Sequence, residues 1–264
     1  MVKNLSIGRY IKTNSPIHKL DPRTKIIGII IFITLLMISS TWQHYTFLSG
    51  YTFLLIFLTR IPILIFLKGI KPLLRIIIFT ALLQILFSSS GTIYWQWGPF
   101  TISEIGIRSA VVVFLRFSLI IMMTSVVGLS TKPLELTAGM EKLLFPFKLL
   151  GFAVHDLAFM MSIALRFIPT LFDEANRLKK AQESRGMQFD EGNFFERMKK
   201  FLPLLVPIFV GSFYRAIELS NALDVRGYSG SAKRTKFKVM KFNYRDAMFA
   251  GGLGILLIVY FMVQ

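Results

Sequence analysis

Two triplets, Ser184-Arg185-Gly186 and Val225-Arg226-Gly227, set an arginine beside a glycine where a long helical pattern ends. Glycine takes the left-handed conformation that stops a helix without a steric cost. The arginine before it then lies on the last turn, where the helix dipole favours a cation. Its planar guanidinium can reach past the helix end and bind a carboxylate or backbone carbonyl of another chain, often through two bonds. An acid precedes each triplet, Glu183 and Asp224, and the two arginines are 41 residues apart, a spacing that suits two helices touching two similar subunits. The alternative is a pair of ordinary helix caps with solvated arginines.

The elements that must position these ends are two amphipathic helices. From about Asp156 to Arg185, residues Leu157, Met160, Met161, Ala164, Ile168, Leu171 and Phe172 recur at three- and four-residue steps and draw an apolar stripe, with Arg166, Asp173, Arg177 and Lys180 largely off it. From about Phe195 to Arg226, Leu205, Ile208, Phe209, Ser212, Ala216 and Leu219 share a face. Pro169, Pro203 and Pro207 should kink or break these helices. A shorter element, Pro133–Leu144, precedes them. Between Thr131 and Asp246 the chain holds 19 of its 31 basic and 12 of its 14 acidic residues, so this stretch has the charge of a soluble region.

The rest reads as membrane. The 264 residues are 54% hydrophobic, with 26 Phe and no Cys, which excludes disulfides, thiolate metal sites and cysteine nucleophiles. Apolar stretches at Ile26–Ser40, Tyr45–Leu58, Leu73–Phe87, Val111–Leu129 and Ala247–Val263 approach the roughly 20 residues a span needs. The second stretch continues past Arg60 into Ile61–Leu67 as a kinked or surface-lying piece, interrupted at Pro62. Asp21 and Pro22 give the first stretch an N-cap and a helical first position. Loops rich in Lys and Arg alternate with loops that have none, and one neutral loop holds Tyr94, Trp95 and Trp97, residues suited to a membrane interface. The positive-inside rule then puts the N-terminus in the cytoplasm and gives five spans. The expected fold is an all-α integral membrane protein: four transmembrane helices in 1–130, a cytoplasmic or interfacial coupling region of long amphipathic helices in 131–245, and a last transmembrane helix in 246–264. Lys233–Lys241 suits contact with anionic headgroups beneath such helices.

Other constellations are weaker. Asp173-Glu174 and His155-Asp156 read as solvated or capping groups. Arg108 and Arg116 lie in or near the fourth span, the first as a snorkelling side chain and the second as a buried, paired one. Ala247, Ala250, Gly251 and Gly254 offer a small-residue packing seam in the last span.

The two Arg-Gly triplets, the flanking Ala181-Gln-Glu-Ser-Arg-Gly186 and Asn221-Ala-Leu-Asp-Val-Arg-Gly-Tyr228, and the opening Asn14-Ser-Pro-Ile-His-Lys-Leu-Asp-Pro-Arg-Thr-Lys25 together carry a resemblance. The chain resembles the transmembrane T component of an energy-coupling factor (ECF) transporter, a CbiQ/EcfT-like branch of the ATP-binding cassette importers. Ser184 and Val225 stand where that family usually has Ala. The resemblance implies a scaffold rather than an enzyme, in a prokaryotic cell membrane. Ser184, Arg185, Gly186, Val225, Arg226 and Gly227 would dock two ABC-type ATPase subunits, which would bind the ATP and Mg²⁺; no cofactor is expected in this chain. A separate membrane S component would bind the vitamin or metal ion. Met160, Met161, Leu205 and Phe209 would face that S component or pack against this protein's own spans.

Two other classes were open to the sequence. An integral membrane enzyme, such as a lipid-modifying transferase, would need metal- or phosphate-handling acids at the membrane face, and no Asp-x-x-x-Asp or His-x-x-x-His set occurs. A nucleic-acid or surface tether would gather its basic residues in one block, and here they interleave with acids, so no nucleic-acid partner is expected. The chain has no Gly-x-x-x-x-Gly-Lys-[Ser/Thr] phosphate loop, so ATP hydrolysis falls to another subunit.

Overall fold

The computed structural model describes residues 10–88, 91–97, 100–146, 154–189, 191–228 and 242–262. Helices α1 (Pro22–Ile38), α2 (Trp42–Thr59), α3 (Ile63–Ile70), α4 (Leu74–Phe87), α5 (Glu104–Ser130), α6 (Pro133–Leu143), α7 (Val154–Ser184), α8 (Phe194–Val225) and α9 (Tyr244–Met262) follow in chain order. The protein is thus an all-helical, multi-pass membrane protein with a coupling region of long helices. The one non-helical element described is a small antiparallel hairpin, β1 (Ile93–Trp97) with β2 (Phe100–Ser103), in the loop that carries Tyr94 and Trp95. An exclusively helical fold was expected, and the concentration of aromatic and β-branched residues here favours strand locally.

Contacts divide the chain into two compact units, 1–143 with 239–264, and 144–238. The first is a bundle of α1–α6 and α9. Its core holds Phe32, Leu36, Tyr45, Leu48, Phe66 and Met123, all at most 1% exposed. Asp21 caps α1 by accepting from the Arg23 N–H at 2.9 Å, with Pro22 in the first turn, as the sequence predicts. The piece between the second and third apolar stretches is α3, bent 61° from α4, and the pair together has the length and apolarity of one span. By the same measure α5 and α9 have the length and apolarity of a span, and so do stretches of α7 and α8, which are hardly buried.

The opening segment proves to be a clasp. The Ile11 N–H donates to the Leu129 carbonyl at the end of α5, and His18 bridges back to the Ile11 carbonyl through Nε2 (2.8 Å) and to Ser15 Oγ through Nδ1 (2.7 Å). Burial pushes the His18 imidazole below its ordinary value; the bond to Ile11 opposes this and the charge of Lys25 adds to it. Asp246, 3% exposed, accepts from the Asp21 and Asn243 N–H groups, tying α9 to the start of α1. The Lys25 ammonium, 3% exposed, donates to the Ser130 carbonyl and Thr131 Oγ1, holding the α5–α6 junction.

Two expectations about the spans change. Arg116 is partly buried, yet its partners are neutral: Nη2 donates to the Ser39 carbonyl (3.2 Å) and to Tyr45 Oη (2.8 Å), satisfying the open C-terminal end of α1. The small residues of α9 do not form a seam within the bundle. A Cβ on Gly251 or Gly254 would meet nothing within 4 Å. The close approach is made from the other side, by Gly28 of α1, where a Cβ would lie 2.8 Å from the Phe249 ring.

Candidate functional site

Both Arg-Gly triplets end their helices in the same way. Gly186 (φ 86°) and Gly227 (φ 69°) are left-handed. The Gly186 N–H donates to Glu183 O and the Met187 N–H to Gln182 O; the Gly227 N–H donates to Asp224 O and the Tyr228 N–H to Leu223 O, all at 2.9–3.0 Å. The paired six-to-one and five-to-two bonds are a Schellman motif, and it occurs twice. Nothing lies within 4 Å of where a Cβ would sit on either glycine, so their conformation rather than crowding requires them. Arg185 and Arg226 therefore hold equivalent places, the last residue before the reversal. Both are exposed, and among the described residues neither guanidinium has an ion pair. Val225 is 90% exposed, an apolar side chain left in the open beside Arg226.

The helices that carry them form an antiparallel hairpin. Phe159 near the start of α7 stacks on Tyr228 just past the end of α8, with ring centroids 4.9 Å apart. Further along, Glu174 of α7 is ion-paired with Arg215 of α8, beside Gly211, whose missing Cβ leaves room for the Glu174 carboxylate. The Arg-Gly ends consequently lie at opposite ends of the hairpin. The connection is held shut at the first tip: Asn193 caps α8 in a capping box with Glu196, Lys200 donates to the Gln188 and Glu191 carbonyls, and buried Phe189 packs on Phe201.

Sequence reasoning placed Glu174 among solvated acids, and the structure corrects that. A long-range pair of this kind leaves no local signature, though its separation of 41 residues repeats that of Arg185 and Arg226. Of the kink or break expected at the prolines, the break does not occur: Pro169 lies inside a continuous α7, and Pro203 and Pro207 inside a continuous α8.

Met160 (63% exposed), Met161 (53%), Leu205 (59%) and Phe209 (65%) do not come together in a core; they stand out from the hairpin. Leu157, Ile168 and Phe172 extend the exposed face on α7, and Phe213 and Ile217 extend that on α8. Among the described residues no group of three His, Asp or Glu could hold a metal ion. The basic run Lys233–Lys241 lies outside the described residues.

A family model described as cobalt transport protein, CbiQ, matches residues 13–237, which takes in both tips and the Ser15 and His18 side of the opening clasp. The chain belongs to that family. It is also similar along nearly its whole length to proteins named energy-coupling factor transporter transmembrane protein EcfT. That of Listeria monocytogenes (EcfT 1) is 45% identical over 250 residues, 95% of this chain and 94% of the relative. That of Lacticaseibacillus paracasei is 44% identical over 252 residues, 96% of each. That of Bacillus subtilis is 41% identical over 264 residues, covering both chains completely. This CbiQ-family chain is accordingly the transmembrane scaffold component of an ECF transporter.

Proposed function

We propose that this CbiQ-family scaffold works by docking one ATPase subunit on each end of the α7–α8 hairpin. Arg185 and Arg226 reach beyond the reversed helix ends into each ATPase, while Gly186 and Gly227 fix the angle at which they do so. Ser184 and Val225 form the edges of those contacts. ATP and Mg²⁺ are bound in the ATPases, and this chain contributes no catalytic group. A membrane S component that carries the vitamin or metal ion rests on the exposed face that includes Met160, Met161, Leu205 and Phe209. Movement of the ATPase pair then passes through the hairpin to the S component. In this reading residues 1–130 and 246–264 are membrane domain, 131–245 is the coupling region, and the N-terminus is cytoplasmic, as the basic loops favour.

The observation that carries the proposal is the pair of matching Schellman ends, each presenting an exposed arginine without an ion-pair partner among the described residues, at opposite ends of one hairpin. Two equal ends suit two similar partners. The test is co-purification from membranes with candidate ATPases and S component co-expressed. Arg185→Glu/Arg226→Glu should lose the ATPases, since reversing a desolvated charged contact costs roughly 2–5 kcal/mol each. Leu205→Glu/Phe209→Glu should keep the ATPases and lose the S component. ATPases retained by a folded double reversal would reduce the tips to plain helix caps.

A further inference from the structure

The membrane bundle carries an open groove of about 570 Å³ between α2, the α3–α4 bend and α5. Its walls are apolar, with Phe53, Leu67, Leu74, Leu115, Leu119 and Met122 among them. Two features break that pattern. Ser118 lines the groove, is 9% exposed, and its Oγ has no hydrogen-bond partner, although a helical serine can usually turn back to a carbonyl of the preceding turn. At the end of α3, Lys68 and Lys71 line the same groove one helical turn apart. Both are exposed, and no described acid is ion-paired with either.

An apolar groove within a membrane-embedded bundle is filled from the bilayer, where the available material is acyl chain. The stems of Lys68 and Lys71 line it, and their exposed ammonium groups can pair with an anion. One molecule supplies both. We infer that this groove seats an acyl chain of an anionic phospholipid, with the lipid phosphate held between Lys68 and Lys71. Charge complementarity selects an anionic lipid over a zwitterionic one, because the amine of the latter would compete for the phosphate that the lysines must bind.

The test uses the full-length chain in its transporter complex, placed in nanodiscs of phosphatidylcholine with a minority of phosphatidylglycerol, and native mass spectrometry to count the lipids it retains. Wild type should retain phosphatidylglycerol enriched on the order of tenfold over its bulk fraction, given two lysines at the headgroup. Lys68→Gln/Lys71→Gln should return that ratio to bulk, and Lys12→Gln/Lys19→Gln should leave it enriched. Ser118→Phe fills the groove and should release the lipid with the lysines intact; Leu67→Trp, at a half-exposed wall position, does the same if the buried change prevents assembly. Enrichment surviving the lysine pair overturns the inference. So does enrichment that survives both groove-filling variants, which would mean headgroup attraction or free phosphate binding without a seated chain. Wild type without enrichment, as when a helix of another membrane protein covers the groove, overturns it as well.

Discussion

In the bundle Phe32 and Phe66 are 0% exposed and Tyr45 1%; on the hairpin Met160, Leu205 and Phe209 are 63%, 59% and 65% exposed. Both regions are built from long apolar helices of the same residue types. The difference lies in how many neighbours each helix has. In the bundle α5 is packed by α1, α2, α3 and α4, so most of its faces find a partner. Two crossing helices can cover only one strip of each other, and α7 and α8 are apolar on more than that strip. Polar groups follow the same division. In the bundle Lys25 and Asp246 are bonded from within, and Arg116 is through its Nη2, whereas Arg185 and Arg226 are exposed. The bundle closes a core within one chain, whereas the hairpin leaves most of its large apolar side chains outside any core among the described residues.

The sharpest way to break this comparison is a matched pair of truncations. Phe66→Ala empties a core site and should destabilise the bundle by about 3–5 kcal/mol. Phe209→Ala, at an exposed position, should change the stability of the isolated chain by no more than about 0.5 kcal/mol. Thermal unfolding in detergent followed by tryptophan fluorescence measures both, and equal losses would mean that the hairpin face is packed after all.

A smaller effect is expected at the crossing. Glu174 and Arg215 are each 29% exposed at the side chain, so solvent screens their attraction and a fully buried value would be too large. Arg215→Ala should cost about 1–2 kcal/mol. The more telling readout is the distance between spin labels at positions 184 and 225. It should broaden in the variant, and an unchanged distribution would show that the Phe159–Tyr228 stack holds the hairpin without the pair.

The smallest effect belongs to the clasp. The His18 pKa is lowered in the folded protein, so the unfolded chain binds more protons as pH falls. The clasp's contribution is therefore complete above the ordinary histidine pKa of about 6.5 and is lost as pH drops through it toward the lowered value. Protonation also removes the acceptor that Ser15 Oγ uses at Nδ1. The melting temperature should fall between neutral and mildly acidic pH in wild type and do so less in His18→Asn. Identical slopes would place the pH dependence elsewhere.

Much of this was legible in local pattern. The Arg-Gly triplets announced their helix ends because a left-handed glycine is written in the residue itself, and Asp21-Pro22 announced the start of α1 for the same reason. The spacing of Pro133–Leu144 gave α6 to within a residue. What the sequence withheld depends on distant partners. Glu174 and Arg215 meet only after the chain turns back, Ser39 is capped by an arginine 77 residues away, and Gly28 rather than the glycines of α9 takes the close contact. The exposure of Met160 and Leu205 was hidden too, since an apolar stripe looks the same whether its partner is in the same chain or another.

Glu174 stands eleven residues before Arg185, and Arg215 eleven before Arg226, so the crossing lies at the same remove from each tip, roughly 17 Å along each helix. The ion pair is thus equidistant from the two ends, and a disturbance there reaches each Arg-Gly end over the same length of helix.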